Sequence, residues 1–273
     1  MNARQEQIRR LIAQTGSATV SGIARRFGVS PMTVRRDLAC LESLGAIART
    51  HGGAMLARAG IIEFRFAERD RRNAEAKAAI AAAVAEMVRP GMSISLDTGT
   101  TTLAVARALA RVGDIRILTS SLAIASALYA NDGIQLVLLG GTVRKGNPDL
   151  TGPLTEDNLG RFRVDLAVLG ADALKPDGLF ANDMGVARLC MRMIERAKRV
   201  VVAADSSKFT ATAFCKYAEW PAIDALVTAP EPPAEARGWL ERAVRNRIVV
   251  KLPRPLDGRR ERLENWRGHE HGL

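Results

Sequence analysis

The sequence predicts an α/β protein in two parts, an N-terminal winged helix-turn-helix followed by a larger, mainly parallel-sheet domain. Three observations predict it. Residues 19 to 53 set two amphipathic helical patterns around a tight turn and follow them with a basic, glycine-rich stretch. From Ser93 onward, apolar strand-like runs alternate with helical runs. The 273 residues suffice for a small domain plus one of roughly 200 residues, each with its own core.

In the first part, Thr19 is placed to cap a helix whose Val20, Ile23, Ala24 and Phe27 recur at i, i+3, i+4 and i+7, giving one buried face. Gly28 stops it. Ser30 caps the next helix, and Pro31 suits its first turn, where no backbone donor is needed. Val34, Leu38 and Leu41 form the core stripe of that second helix. Its far side presents Met32, Thr33, Arg35, Arg36, Ala39 and Cys40. This small-plus-cationic surface suits a major groove, because arginine grips guanine O6/N7 or phosphate and small side chains let the helix approach the bases.

Gly45 to Gly53 reads as the wing. Ile47 and Ala48 suit a short strand, Arg49, Thr50 and His51 precede the turn Gly52-Gly53, and Met55 and Leu56 return. The expected partner is double-stranded DNA, contacted by Ser30, Met32, Thr33, Arg35, Arg36, Arg49 and His51. Neither carboxylate nor cysteine stands at metal spacing from His51, so no metal is assigned.

Charge supports the partner. The chain has 40 Lys and Arg against 29 Asp and Glu, a net charge of +11. Within residues 1–57, Arg4, Arg9, Arg10, Arg25, Arg26, Arg35, Arg36 and Arg49 face only Glu6, Asp37 and Glu42. The basic bias returns in a tail, residues 253–273, that lacks apolar periodicity and is expected to be solvated and partly disordered. Cys40, Cys190 and Cys215 are isolated, which argues against a disulfide framework or zinc site and fits a reducing cytoplasm. A charged start and the lack of any apolar run long enough to span a bilayer predict no membrane association.

Residues 58–76 read as a charged linker, and residues 77–252 as the α/β domain. Strand candidates are Ser93 to Leu96, Ile115 to Leu118, Ile134 to Leu139, Val164 to Leu169, Val200 to Ala204 and Ala225 to Val227. Helices are expected at Leu103 to Ala110, Ala123 to Tyr129 and Val186 to Lys198. The βαβ alternation predicts a sheet covered on both faces, with ligands beyond the carboxyl ends of its strands.

Polar residues gather at those ends. Asp97-Thr98-Gly99-Thr100-Thr101-Thr102 leads straight into a helix, so backbone donors, hydroxyls and the positive helix end converge where an anion could sit. It is neither a Walker loop nor GxGxxG. Thr119-Ser120-Ser121, Gly140-Gly141-Thr142, Gly170-Ala171-Asp172 and Asp205-Ser206-Ser207-Lys208 follow other strands. A rim of such loops predicts a pocket for a polyhydroxylated, anionic small molecule. Its candidate residues are Asp97, Gly99, Thr100, Thr101, Thr102, Ser120, Ser121, Gly140, Gly141, Asp172 and Lys208.

In combination these segments resemble the DeoR family of bacterial transcription regulators, over nearly the whole chain from about Arg4 to Thr228. RQEQIRRLIAQTG, FGVSPMTVRRDLACLESLG and RTHGGAML are similar to the family's DNA-binding domain. DTGTTT, LTSSLAIA, LLGGTVRK, LGADAL and AADSSKF are similar to its effector domain, itself similar to sugar-phosphate isomerases. The resemblance implies a repressor of carbohydrate or polyol genes, relieved by a phosphorylated sugar or polyol and without a cofactor. It also implies that Met32, Thr33, Arg35 and Arg36 touch DNA, while Asp97, Gly99 to Thr102, Ser121, Gly141 and Lys208 line the pocket. Val186 stands where the family usually has Glu, and Ser120 where it commonly has Asn. Both departures bear on which ligand fits.

An enzyme is the competing reading. Asp97, Asp172, Asp183 and Lys208 could serve a phosphosugar isomerase or deaminase, but the expected Glu is absent and histidine is scarce. No catalytic residue is therefore assigned. Because one helix-turn-helix reads one half-site, a homo-oligomer is expected, a dimer or tetramer.

Overall fold

The computed structural model describes residues 2–43, 46–50, 52–56, 66–244 and 246–252. His51, residues 58–65 and the tail 253–273 lie outside the described residues.

The first unit builds a small core from three helices and three short strands. Helix α1 (Ala3–Thr15) opens with a reciprocal cap: the Asn2 side chain accepts from the Gln5 backbone, and the Gln5 side chain accepts from that of Asn2. Strand β1 (Ser17–Thr19) leads into α2 (Val20–Phe27), where the Thr19 hydroxyl accepts from the Gly22 N–H at 3.1 Å. Gly28 closes α2 at φ 63°, a left-handed conformation that glycine reaches without a Cβ clash. The Ser30 hydroxyl then accepts from the Thr33 N–H at 3.1 Å and starts α3 (Pro31–Ser43). Strands β2 (Ile47–Thr50) and β3 (Gly53–Leu56) form the wing, and β3 also pairs with β1. Ile8, Ile12, Ile23, Val34, Leu38 and Leu41 are fully buried between these elements.

The larger unit is built on seven parallel strands: β4 (Ser93–Leu96), β5 (Ile115–Thr119), β6 (Ile134–Leu138), β9 (Val164–Leu169), β12 (Ala197–Ala203), β14 (Ala225–Thr228) and β15 (Arg247–Val249). Their spatial order is β15-β14-β12-β9-β4-β5-β6. Side-chain alternation explains how one sheet serves two cores. Val200, Val202 and Ala204 face one side, Val201 and Ala203 the other. The second side is covered by α4 (Ala74–Ala85), α5 (Thr100–Leu109) and α6 (Leu122–Leu128). The first is covered by α7 (Pro153–Gly160), α8 (Met184–Arg196) and α9 (Ala234–Ala243).

Two small antiparallel additions escape the βαβ pattern. Strands β7 (Thr142–Val143) and β8 (Leu150–Thr151) form a hairpin, and β10 (Ala173–Lys175), β11 (Gly178–Ala181) and β13 (Cys215–Ala218) form a three-stranded sheet. Strands of two or three residues carry too few alternating positions to be read from sequence, and β11 and β13, at four, lie outside the regular alternation of strand and helix. The expected linker needs correction as well. Residues 66–71 are helical and α4 begins at Ala74, so from 66 onward the span assigned to a linker is structured. Its high charge disguised it, because several of those charges have partners elsewhere in the fold: Arg69 on Asn147 and Asp70 on Arg107 in the larger unit, Arg71 on Glu6 in the first.

Candidate functional site

On α3, Met32, Arg35, Arg36 and Ala39 are exposed and Thr33 and Cys40 half-buried, while Val34, Leu38 and Leu41 point inward. The expected division of faces is therefore the observed one. Arg49 is exposed on β2, where its backbone N–H donates to Glu42 at 3.3 Å. Arg25, Arg26, Arg35, Arg36 and Arg49 have no ion-pair partner among the described residues, so their charge is free for phosphate. Arg4, Arg9 and Arg10 instead pair with acids.

Asp37 departs from the pattern. It sits on the core side of α3, only 4 % exposed, and is clasped by Arg4 Nε at 2.7 Å and Gln5 Nε2 at 3.1 Å. A buried carboxylate needs such partners, and these bolt α1 to α3. The i+3 spacing from Val34 was the available signal.

The second candidate site is a cavity of about 510 Å³. It lies where the chain, having run from β4 out to β6, returns on the other side of β4 as β9, the switch point of an open α/β sheet. Asp97, Gly99, Thr100, Thr101, Thr102, Asp172 and Lys208 line it together. Thr102 spends its hydroxyl on the Gly99 carbonyl at 3.1 Å. Gly99 caps α5 without a side chain, leaving the first turn's N–H groups open toward the cavity.

Ser120, Ser121, Gly140 and Gly141 are not among the lining residues. Ser121 caps α6 through the Ile124 N–H at 3.2 Å, and the Ser120 carbonyl accepts from Leu150 at 2.9 Å, so this turn anchors the β7–β8 hairpin. Gly140 offers its carbonyl to the Thr155 hydroxyl at 2.8 Å. Gly141 has φ 126°, and a Cβ there would collide with the Thr155 side chain. Their hydrogen bonds go to the α6 cap, to the hairpin and to Thr155.

Other lining residues lie outside the candidate set. Phe66, Arg69, Arg72 and Asn73 come from the span read as a linker and Lys77 from the start of the α/β domain, while Arg144, Asn147 and Asp149 come from the hairpin. Arg144 donates to Asp149 through Nε at 2.8 Å and Nη2 at 2.6 Å, with Asp183 3.7 Å from Nη1. Burial opposes its charge, but Asp149, Asp183 and Asp172 outweigh burial and raise its pKa. Asp205 accepts from Ser207 and from Asn73, the latter at 2.9 Å, which fixes the turn carrying Lys208. Lys77 is buried, and desolvation lowers its pKa despite Asp205 and Asp70, with nearby Lys208 and Arg69 adding to the lowering.

Asp97 is the most perturbed carboxylate of the cavity. Burial pushes its pKa up to about 7, Asp149 and Asp172 add to the rise, and backbone N–H groups of Gly170 and Thr98 oppose it. Gly170 donates to Oδ2 at 3.0 Å, whereas Oδ1 is buried without a hydrogen-bond partner among the described residues. Cys190 and Tyr217 line the same floor, and burial raises both of their pKa values. The lining thus mixes five cationic side chains, Arg69, Arg72, Lys77, Arg144 and Lys208, with five carboxylates, Asp97, Asp149, Asp172, Asp183 and Asp205.

A winged helix-turn-helix with free arginines, joined to a sheet domain with a polar cavity at its switch point, defines a two-domain DNA-binding regulator. Comparison with known proteins gives the family. Residues 4–59 match the model of the DeoR-like helix-turn-helix domain, and residues 72–229 match that of the DeoR C terminal sensor domain. The chain belongs to the DeoR family of transcription regulators. It is 35% identical over 253 residues to the HTH-type transcriptional repressor CsqR of Escherichia coli K12, covering 92% of this chain and 95% of that one. It is 33% identical over 231 residues to the glycerol-3-phosphate regulon repressor of the same strain, covering 84% and 91%. A ribose 5-phosphate isomerase A structure from Methanocaldococcus jannaschii aligns with a TM-score of 0.36 at 22% identity, over 49% of this chain and 53% of that chain.

Proposed function

We propose that this protein is a cytoplasmic repressor of carbohydrate or polyol genes, bound to its operator as a homo-oligomer and released when a phosphorylated sugar or polyol fills the cavity. One observation carries the reading. The open N-terminus of α5 shares the cavity with Arg72, Lys77 and Lys208, while the unpartnered Oδ1 of Asp97 lies buried in its floor. Helix dipole and cations suit a phosphate, and a lone carboxylate oxygen suits a hydroxyl donor. A phosphorylated polyol carries both groups. The names of the two repressors above support repression, and the half-site argument supports assembly.

Asp97, titrating near neutrality inside a cavity, also favours an enzyme reading. Its weakness is the second group. Asp183 caps α8 through the Val186 N–H at 3.0 Å and Asp172 accepts from the Asn182 N–H at 2.8 Å, which leaves Lys208 as the group such a reading would have to use.

A thermal-shift panel of phosphorylated sugars and polyols, followed by product analysis, tests both readings. A compound that raises the melting temperature unchanged in composition supports the sensor. Turnover would replace it with the enzyme. Lys208→Ala should weaken binding of any such compound by roughly tenfold to a hundredfold, the weight of one charged hydrogen bond, while leaving ligand-free DNA affinity near wild type. An unshifted dose-response in that variant would place the phosphate elsewhere.

A further inference from the structure

Residues 66–73 face two ways. Phe66, Arg69, Arg72 and Asn73 line the cavity, yet Arg71, in the same segment, reaches the DNA-binding unit, its Nη1 3.0 Å from Oε1 of Glu6 on α1. Bonds to other cavity residues hold the segment in place. Arg69 donates to Asn147 at the hairpin tip, Asn73 donates to Asp205, and Lys77 donates to the Arg69 carbonyl. On the far side of Glu6, α1 is bolted to α3 by Arg4 and Gln5 on the buried Asp37. Polar contacts, joined through the 66–71 helix and through α1, therefore connect the cavity wall to the helix that bears Arg35 and Arg36.

We propose that the Arg71–Glu6 pair is the coupling contact through which occupancy of the cavity reaches the recognition helix. The inference rests on reading that cavity as the effector site. An anion that draws Arg69 and Arg72 inward competes with Asn147 for Arg69 and shifts a segment of six helical residues. Arg71, two positions from one and one from the other, cannot stay on Glu6 independently of them. Glu6 tolerates the loss because Arg9 and Arg10 also reach it, at 3.0 and 3.1 Å. A pair that breaks without stranding a charge suits a switch better than a scaffold. It transmits through differential contacts in the two states, as coupling requires.

The test uses the full chain, a duplex it selects from a random library, and inorganic phosphate as the ligand probe, with ionic strength held constant by chloride. The coupling factor is the ratio of duplex Kd with saturating phosphate to that without it. Arg71→Ala and Glu6→Gln should each lower that factor by about threefold to fivefold, the weight of one half-exposed ion pair, and the double variant should lower it no further. Phosphate affinity of the free protein, and duplex affinity without phosphate, should stay within about twofold of wild type. Arg71→Lys should keep part of the coupling. Undiminished coupling in the single variants, or losses that multiply in the double, would overturn the assignment. Failure of phosphate to alter duplex affinity in the wild type would overturn the sensor reading itself and this inference with it, an outcome the wild type alone reveals.

Discussion

The recognition helix and the cavity both present cations to an anion, but they balance those cations differently. On α3 and the wing, Arg35, Arg36 and Arg49 stand exposed without acid partners among the described residues. In the cavity, five cationic side chains meet five carboxylates, so the lining as a whole is close to neutral. The difference matches a duplex on one side and the phosphorylated effector proposed above on the other. A duplex is a long polyanion, recognised by free charge that acts over about a Debye length, roughly 8 Å at physiological salt, and weakens as salt rises. A small phosphorylated molecule needs charge at one point only, and surplus field would admit any anion. Compensation by Asp149, Asp183 and Asp205 would, on that proposal, make the cavity selective through position.

The sharpest way to break that comparison is Asp97→Asn, which removes the most costly of the compensating charges. Burial raises the Asp97 pKa from its ordinary 3.8 to about 7. The folded protein therefore holds that proton more tightly than the unfolded chain does, and stability falls as pH rises from about 4 to about 7. Below that window the penalty is absent, and above it the penalty is complete, roughly 4 kcal/mol at about 1.4 kcal/mol per pKa unit. Asparagine keeps an acceptor for the Gly170 N–H without the charge. Denaturant unfolding should find the variant more stable than wild type at pH 8, with the gap closing toward pH 4. A gap that does not change with pH would mean that Asp97 is solvated and the floor is not a buried carboxylate.

On the other surface, Arg36→Ala and Arg35→Ala should cost about 1 to 3 kcal/mol of binding to the cognate duplex, more than any single change in the larger unit that leaves the fold intact. The salt series sharpens the result. A lost base contact relaxes specificity at one position, whereas a lost phosphate contact weakens all sequences alike and lowers the slope of log K against log salt by about one. The same series run on phosphate binding to the cavity should be flatter, because those charges are partly buried. Equal slopes at the two sites would erase the distinction.

The same contrast explains which parts the sequence made legible. The DNA face is contiguous: one helix and one wing, read through caps, period and free charge, all within Thr19 to Gly53. Parallel strands were legible because buried apolar runs such as Val164 to Leu169 stand out. The cavity is assembled from strand ends and from pieces with no periodic pattern. Asp97 to Thr102 announced itself as a strand-to-helix turn, but Arg69, Arg72 and Asn73 sat in what looked like a solvated connector. The pairing of Arg144 with Asp149 depends on a hairpin too short to register. Ser121 and Gly141 are ambiguous for a physical reason: hydroxyl and glycine at a strand end serve equally well as caps and as ligand contacts, and only placement in space separates the two uses.

The smallest expected effect tests that separation directly, with one substitution made at two helix caps. Ser30 caps α3 through the Thr33 N–H, and Ser121 caps α6 through the Ile124 N–H. Alanine at either should lower stability by about 1 kcal/mol, the usual cost of an N-cap. Only Ser30→Ala should also weaken duplex binding, since Ser30 is exposed at the N-terminal end of α3 while Ser121 is buried in the larger unit. Aspartate resolves cap from contact, because it caps as well as serine does but brings a negative charge toward DNA. Ser30→Asp should therefore keep wild-type stability and still lose duplex affinity. Full duplex affinity in Ser30→Asp would show that the α3 N-terminus lies away from the phosphate backbone, and the docking of the recognition helix would have to be redrawn around Arg36.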